Sequence, residues 1–209
     1  MIQRLLSVPI YFNFVQLHNV LQIAMGWAGI HAFKFEVSKL LEEGDEPNWM
    51  TGRGEDILQL YINDSIKDCL PDPDIIKKMS DYTLKDIYER EEYKGKVELS
   101  YEYDHGDGWD NDIVFLQKVE PSMRKALRVP DSMAVFCLSG EGHPCAEDAG
   151  GAGGWEDLKT EFKKKGDKDG TKSWYKTSCA NGDPKGLDPY NWSILDVNDG
   201  LAKIETSDA

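Results

Sequence analysis

The residues with most capacity for chemistry are carboxylates, grouped in two short stretches. Asp104, Asp107, Asp110 and Asp112 follow at intervals of two or three residues, with Glu102 just before them. Closely spaced carboxylates in a flexible loop suit a hard divalent cation, which takes oxygen ligands. The same acids also serve turns, because an Asp side chain accepts N–H bonds from the backbone just ahead of it. Their spacing is not that of a known calcium loop. Asp167-Lys168-Asp169-Gly170 comes nearer, but Lys172 stands where such a loop needs glycine and Ser178 where it needs glutamate.

The second stretch sets Glu141, Glu147 and Asp148 among Gly140, Gly142, Gly150, Gly151, Gly153 and Gly154. No Gly-Lys-Ser/Thr follows, so these glycines form no phosphate loop and are expected to permit a tight loop with positive φ. If the first loop lies beside the second, His105, Cys137, His143 and Cys145 are weak candidates for a transition-metal site, since imidazole and thiolate suit zinc. The plainer account buries Cys137 between Phe136 and Leu138. A Cys145 nucleophile served by His143 lacks a third, orienting group. His18 and His31 are expected to pack against apolar neighbours, and Trp27 and Trp109 to anchor the core.

Composition narrows the partners. The 209 residues fit one domain with a real core, and 40% hydrophobic content excludes a wholly disordered chain. The net charge is −14, and the five arginines, Arg4, Arg53, Arg90, Arg124 and Arg128, are scattered. Duplex DNA and anionic membranes are therefore not expected as partners. Cys69, Cys137, Cys145 and Cys179 form no CxxC pair, which points to reduced thiols. Arg4 and the apolar Leu5 to Val15 resemble a short signal peptide, but Pro9 and Asn13 interrupt the run. A soluble protein of the cell interior, in the cytoplasm, is the expectation.

The elements that must position these residues read as follows. Asn13 caps a helix whose apolar stripe is Phe14, Leu17, Leu21, Ala24 and Met25, closed by Gly26. His31, Phe33, Phe35 and Val37 then alternate as one face of a strand. Residues 39 to 81 form an irregular insertion holding short elements, broken at Pro71 and Pro73. Thr83 and Asp86 resemble a capping box opening a short helix over Leu84 to Arg90. Val97, Leu99, Tyr101 and Tyr103 give a half-buried strand, Asp104 to Gly108 a turn, and Ile113 to Val119 the returning strand. Trp155, Leu158 and Phe162 mark a helix, 166 to 186 a loose polar connection, and Leu187 to Ile204 a docked tail. The last residues, 205 to 209, should fray.

Leu17-His18, Met25-Gly26-Trp27, His31 with Phe35, the run from Tyr101 to Trp109, Gly140-Glu141-Gly142 and the run Glu147-Asp148-Ala149-Gly150-Gly151 together resemble the plasmid pRiA4b Orf-three-like domain family. The resemblance runs from about residue 4 to residue 201. It implies an α+β fold, a small α/β roll with an antiparallel sheet packed against helices, forming one domain over 1–204. It implies no established activity. Some members carry a transposon-resolvase label, which needs a phosphate clamp that five scattered arginines do not supply. Asn111 stands where the family often has histidine. Pro144-Cys145-Ala146-Glu147-Asp148-Ala149 stands where it often has Cys-Pro-Pro-Glu-Asp-Cys. The resemblance also suggests that the family's first strand is missing here, leaving an unpaired edge.

Two functions fit these residues. In the first, a non-enzymatic binding module, the loops 104–112 and 140–151 form an acidic surface for a basic or metal-bearing ligand, which a protein or small-molecule partner would supply. Asp107, Trp109, Glu141 and Glu147 would then face the ligand, while Asp104, Gly106, Asp148, Gly150 and Gly151 shape the loops. In the second, a hydrolase, carboxylates such as Asp107, Glu147 and Asp148 hold a divalent metal that activates water.

Overall fold

The computed structural model describes residues 2–63 and 72–204. Expectations for Cys69, Pro71 and the tail 205–209 fall outside the described residues. The fold is α+β, with a five-stranded sheet, a two-stranded ribbon and helices packed against them.

The chain begins with a strand, β1 (Gln3–Ser7). It is paired, running antiparallel to β7 (Phe136–Glu141) with a bulge between Leu5 and Leu6. Helix α1 (Phe14–Met25) follows, and Asn13 and Gln16 exchange side-chain-to-backbone bonds of 2.9 Å in a full capping box. Gly26 at φ +68° ends it, as a left-handed C-terminal residue does.

The sheet has the order β4-β3-β2-β5-β6, where β2 is Phe33–Lys39, β3 Asp56–Tyr61, β4 Ile76–Lys78, β5 Val97–Tyr103 and β6 Trp109–Ile113. All neighbours are antiparallel except β3 and β4. Alternation sorts its faces. Phe35, Val37, Leu99, Tyr101 and Tyr103 join the core under α1, each burial worth about 1.5–3 kcal/mol. Lys34 meets Glu36 at 2.6 Å and Glu102 at 3.1 Å on the opposite face. The 39–81 region thus supplies two strands of the main sheet.

The returning strand of the hairpin begins at Trp109, earlier than the Ile113 expected from apolar content. The turn is tighter than its composition suggests, since the Gly108 N–H already bonds the Asp104 carbonyl at 2.6 Å and Trp109 pairs with Tyr103. Asp110 and Asp112 then leave the core face, where Arg53 meets them at 2.8 and 2.5 Å. Residues 114–119 form no strand.

Helix α2 (Leu84–Glu89) has the expected Thr83–Asp86 capping box. After α3 (Pro121–Ala126) and β7 comes α4 (Gly151–Lys163), whose first turn takes in Gly151, Gly153 and Gly154. Its Trp155 and Leu158 enter the main core. The stretch expected to be a loose connection contains α5 (Thr171–Thr177), anchored by the fully buried Tyr175. The tail docks through α6 (Ile194–Leu201), where Val197 and Leu201 join Val20, Ala24 and Cys137 in a second core.

Candidate functional site

Three segments far apart in the chain end at one place. The register Phe33↔Tyr103 aligns the start of β2 with the end of β5, so His31, two residues before β2, lies beside Asp104, one residue after β5. The turn before α4 brings Glu147 and Asp148 to the same point. His31 Nε2 lies 3.6 Å from Asp104 Oδ2, 3.8 Å from Glu147 Oε2 and 3.4 Å from Asp148 Oδ1. One ligand atom each from His31, Asp104 and Asp148 fall within 4.8 Å of one another.

Asp104 and Glu147 are each held through one oxygen, which leaves the other directed at His31. Asp104 sits at φ +59°, a conformation Asp tolerates better than most residues. Its Oδ1 accepts the Gly106 and Asp107 N–H groups at 2.9 and 3.3 Å, which leaves Oδ2 toward His31. Asp148 has φ +58° and a side chain 56% exposed. Glu147 is 0% exposed. Its Oε1 accepts the Ala28 N–H at 2.5 Å and the Tyr103 hydroxyl at 3.2 Å, whereas Oε2 has no hydrogen-bond partner among the described residues. Asn181 fixes the backbone beneath, accepting the Glu147 N–H and donating to the Cys145 carbonyl, both at 2.9 Å. Burial and the Glu147 carboxylate push the Tyr103 phenol up to about 12, so it remains a donor.

Asp107 binds backbone: both its oxygens accept the Gly150 N–H, at 3.2 and 3.1 Å. The two loops touch here so closely that a Cβ on Gly151, at φ +71°, would stand 2.4 Å from the Asp107 carbonyl oxygen. Asp107, expected to face a ligand, thus ties the loops together, while Asp148, expected to shape a loop, turns its carboxylate to His31. Trp109 is buried in the main core, and its Nε1 has no hydrogen-bond partner among the described residues. Glu141 ends the ribbon strand β7, where its carbonyl accepts a bond from Arg4.

The four weak metal candidates do not converge with this cluster. His105 bonds the Glu102 carboxylate at 2.9 Å on the exposed side of the hairpin. His143 faces the Tyr175 hydroxyl at 3.2 Å and stacks on Trp155, and burial holds its imidazole below the usual range. Cys137 lies in the second core with its N–H bonded to Asn198. Burial pushes the Cys145 thiol up to about 11, so it stays protonated and is no nucleophile at neutral pH. Sequence reasoning missed His31, Tyr103 and Asn181. His31 and Tyr103 carried a signal, as residues of the family resemblance, whereas Asn181 carried none.

The chain matches the family described as Plasmid pRiA4b ORF-3-like protein over residues 1–191. It is 25% identical over 157 residues to the uncharacterized protein y4hQ of Sinorhizobium fredii (strain NBRC 101917 / NGR234), a match covering 75% of this chain and 63% of that relative's length. It resembles in fold the crystal structure of MM3350, a protein of unknown function from Methanosarcina mazei Go1. That likeness has a TM-score of 0.57 and 21% identity, over 93% of this chain and 87% of the other.

Proposed function

From the premise that the chain belongs to the plasmid pRiA4b ORF-3-like family, we propose that it is a non-enzymatic binding module whose hairpin turn and pre-α4 turn form one acidic pocket for a cationic ligand. The observation that carries this reading is Glu147, wholly buried with an oxygen left without a hydrogen bond. Burying a carboxylate oxygen unpaired is costly, and such a group is best explained by a partner that arrives from outside. The electrostatics agree: three carboxylates surround an imidazole that carries at most one positive charge. Asp148, with its side chain 56% exposed, gives the cluster one face toward solvent.

The reading is tested by melting the protein with divalent cations and with organic cations such as arginine methyl ester. A ligand present about a hundredfold above its Kd stabilises by about 2.7 kcal/mol. For a chain of this size that is a rise of roughly 5–10 °C. At least one cation is expected to produce it in the wild type and not in a Glu147→Gln, Asp148→Asn double variant. No rise with any cation would sink the proposal.

A further inference from the structure

We infer that the ligand of this pocket is a divalent transition-metal ion of the zinc class, held by His31 Nε2, Asp104 Oδ2 and Asp148 Oδ1. The inference rests on the acidic-pocket reading above and names its ligand. The distances from His31 Nε2 to Asp104 and Asp148, 3.6 and 3.4 Å, are too long for hydrogen bonds, which cluster near 2.9 Å. They are close to the edge of a tetrahedron around zinc, about 3.3 Å for metal–ligand bonds of about 2.0–2.1 Å. His31 Nε2 itself is buried without a hydrogen-bond partner among the described residues. A proton on that nitrogen can serve one of the surrounding carboxylates, whereas a dication binds Asp104 and Asp148 together and offsets the charge of Glu147 through space.

The donor set selects the metal. Imidazole nitrogen favours zinc and its neighbours over calcium and magnesium, and the two aspartates supply the oxygens. Glu147 stands outside the three ligands, with Oε2 3.8 Å from the same nitrogen. It adds charge from the buried side. Its other oxygen is already engaged by Ala28 and Tyr103. Asp107 is a positioning residue, since its bonds to Gly150 hold the turn of Asp148 against the turn of Asp104.

The test titrates zinc, and separately cobalt, into chelator-treated protein by calorimetry, with the visible absorption of cobalt reporting its geometry. One equivalent is expected to bind, with a tetrahedral cobalt spectrum. His31→Ala and the exposed-site variant Asp148→Asn should each weaken it by at least about tenfold. Glu120→Gln, at the exposed start of α3, should leave it unchanged. Circular dichroism confirms that each variant is folded, and Asp148→Asn keeps the test decisive if His31→Ala is not. Absence of zinc binding, binding indifferent to both variants, or a preference for magnesium or calcium over zinc would overturn the inference. If zinc fails but arginine methyl ester still binds in a Glu147-dependent way, the pocket stands and its metal falls. If neither binds, both fall.

Discussion

At the residue scale, local bonding separates carboxylates and histidines that look alike in sequence. Asp104, Asp107, Glu147 and Asp148 were all legible as candidates, because their motifs carry the family resemblance. Which oxygen is free was not legible, since for Asp104 it depends on the path of its own turn and for Glu147 on the Ala28 N–H and Tyr103 hydroxyl brought from distant segments. His31 was hidden by the alternation His31-Phe33-Phe35-Val37, which continues a strand's pattern two residues beyond the strand. His18 is the contrasting histidine, stacked on Phe33 and bonded to the Tyr101 hydroxyl at 2.7 Å. Burial lowers its imidazole from 6.5 to about 4. Between those values the unfolded chain takes up a proton that the folded chain refuses. The stability due to neutral His18 is therefore complete above about 6.5 and is lost as pH falls toward about 4. Thermal melts across that window should show the wild type losing stability more steeply than His18→Gln. Parallel slopes would contradict the burial argument.

At the element scale, α1, α2 and β5 were readable because each carries its own start, stop or period. The strand β6 was not, since Trp-Asp-Asn-Asp-Ile has the composition of a turn. Salt bridges from Arg53 and the exposed edge position of β6 explain why Asp110 and Asp112 tolerate a strand. The first turn of α4 was likewise hidden among glycines, two of which differ in what they do. Gly151 combines a positive φ with close contact to the Asp107 carbonyl, whereas a Cβ on Gly153 would meet nothing within 4 Å. Gly151→Ala should therefore cost about 1–3 kcal/mol or more, and Gly153→Ala should be neutral or add up to about 1 kcal/mol of stability. Urea unfolding of the two variants checks this. Equal effects would show that the two loops are not locked together at Gly151.

At the scale of the whole molecule, composition and family resemblance gave the fold class, while the ribbon β1–β7 and the second core behind α1 could not be read from local pattern. Both depend on pairing the start of the chain with segments distant in sequence, β1 with β7 and α1 with β7 and α6. No described helix is long and apolar enough to cross a membrane. The net charge of −14 opposes approach to a polyanion. Random duplex DNA should therefore show no appreciable binding at physiological salt, and sub-micromolar affinity in a filter or anisotropy assay would contradict this. Cys137, Cys145 and Cys179 are free and buried. Reductant should change the melting temperature little, and a marked loss on reduction would reveal a disulfide.

The central claim is that Glu147 and Asp148 are kept for a ligand while Asp104 also supports the fold. Melting of the single variants in chelator-treated buffer at pH 8 tests it most directly. Asp104→Ala should cost about 1–3 kcal/mol, because two backbone N–H groups lose their acceptor. Glu147→Gln and Asp148→Asn remove one like charge each, and should leave stability unchanged or raise it by up to about 2 kcal/mol. If both instead destabilise as strongly as Asp104→Ala, the cluster is scaffolding and the acidic pocket is not a binding site.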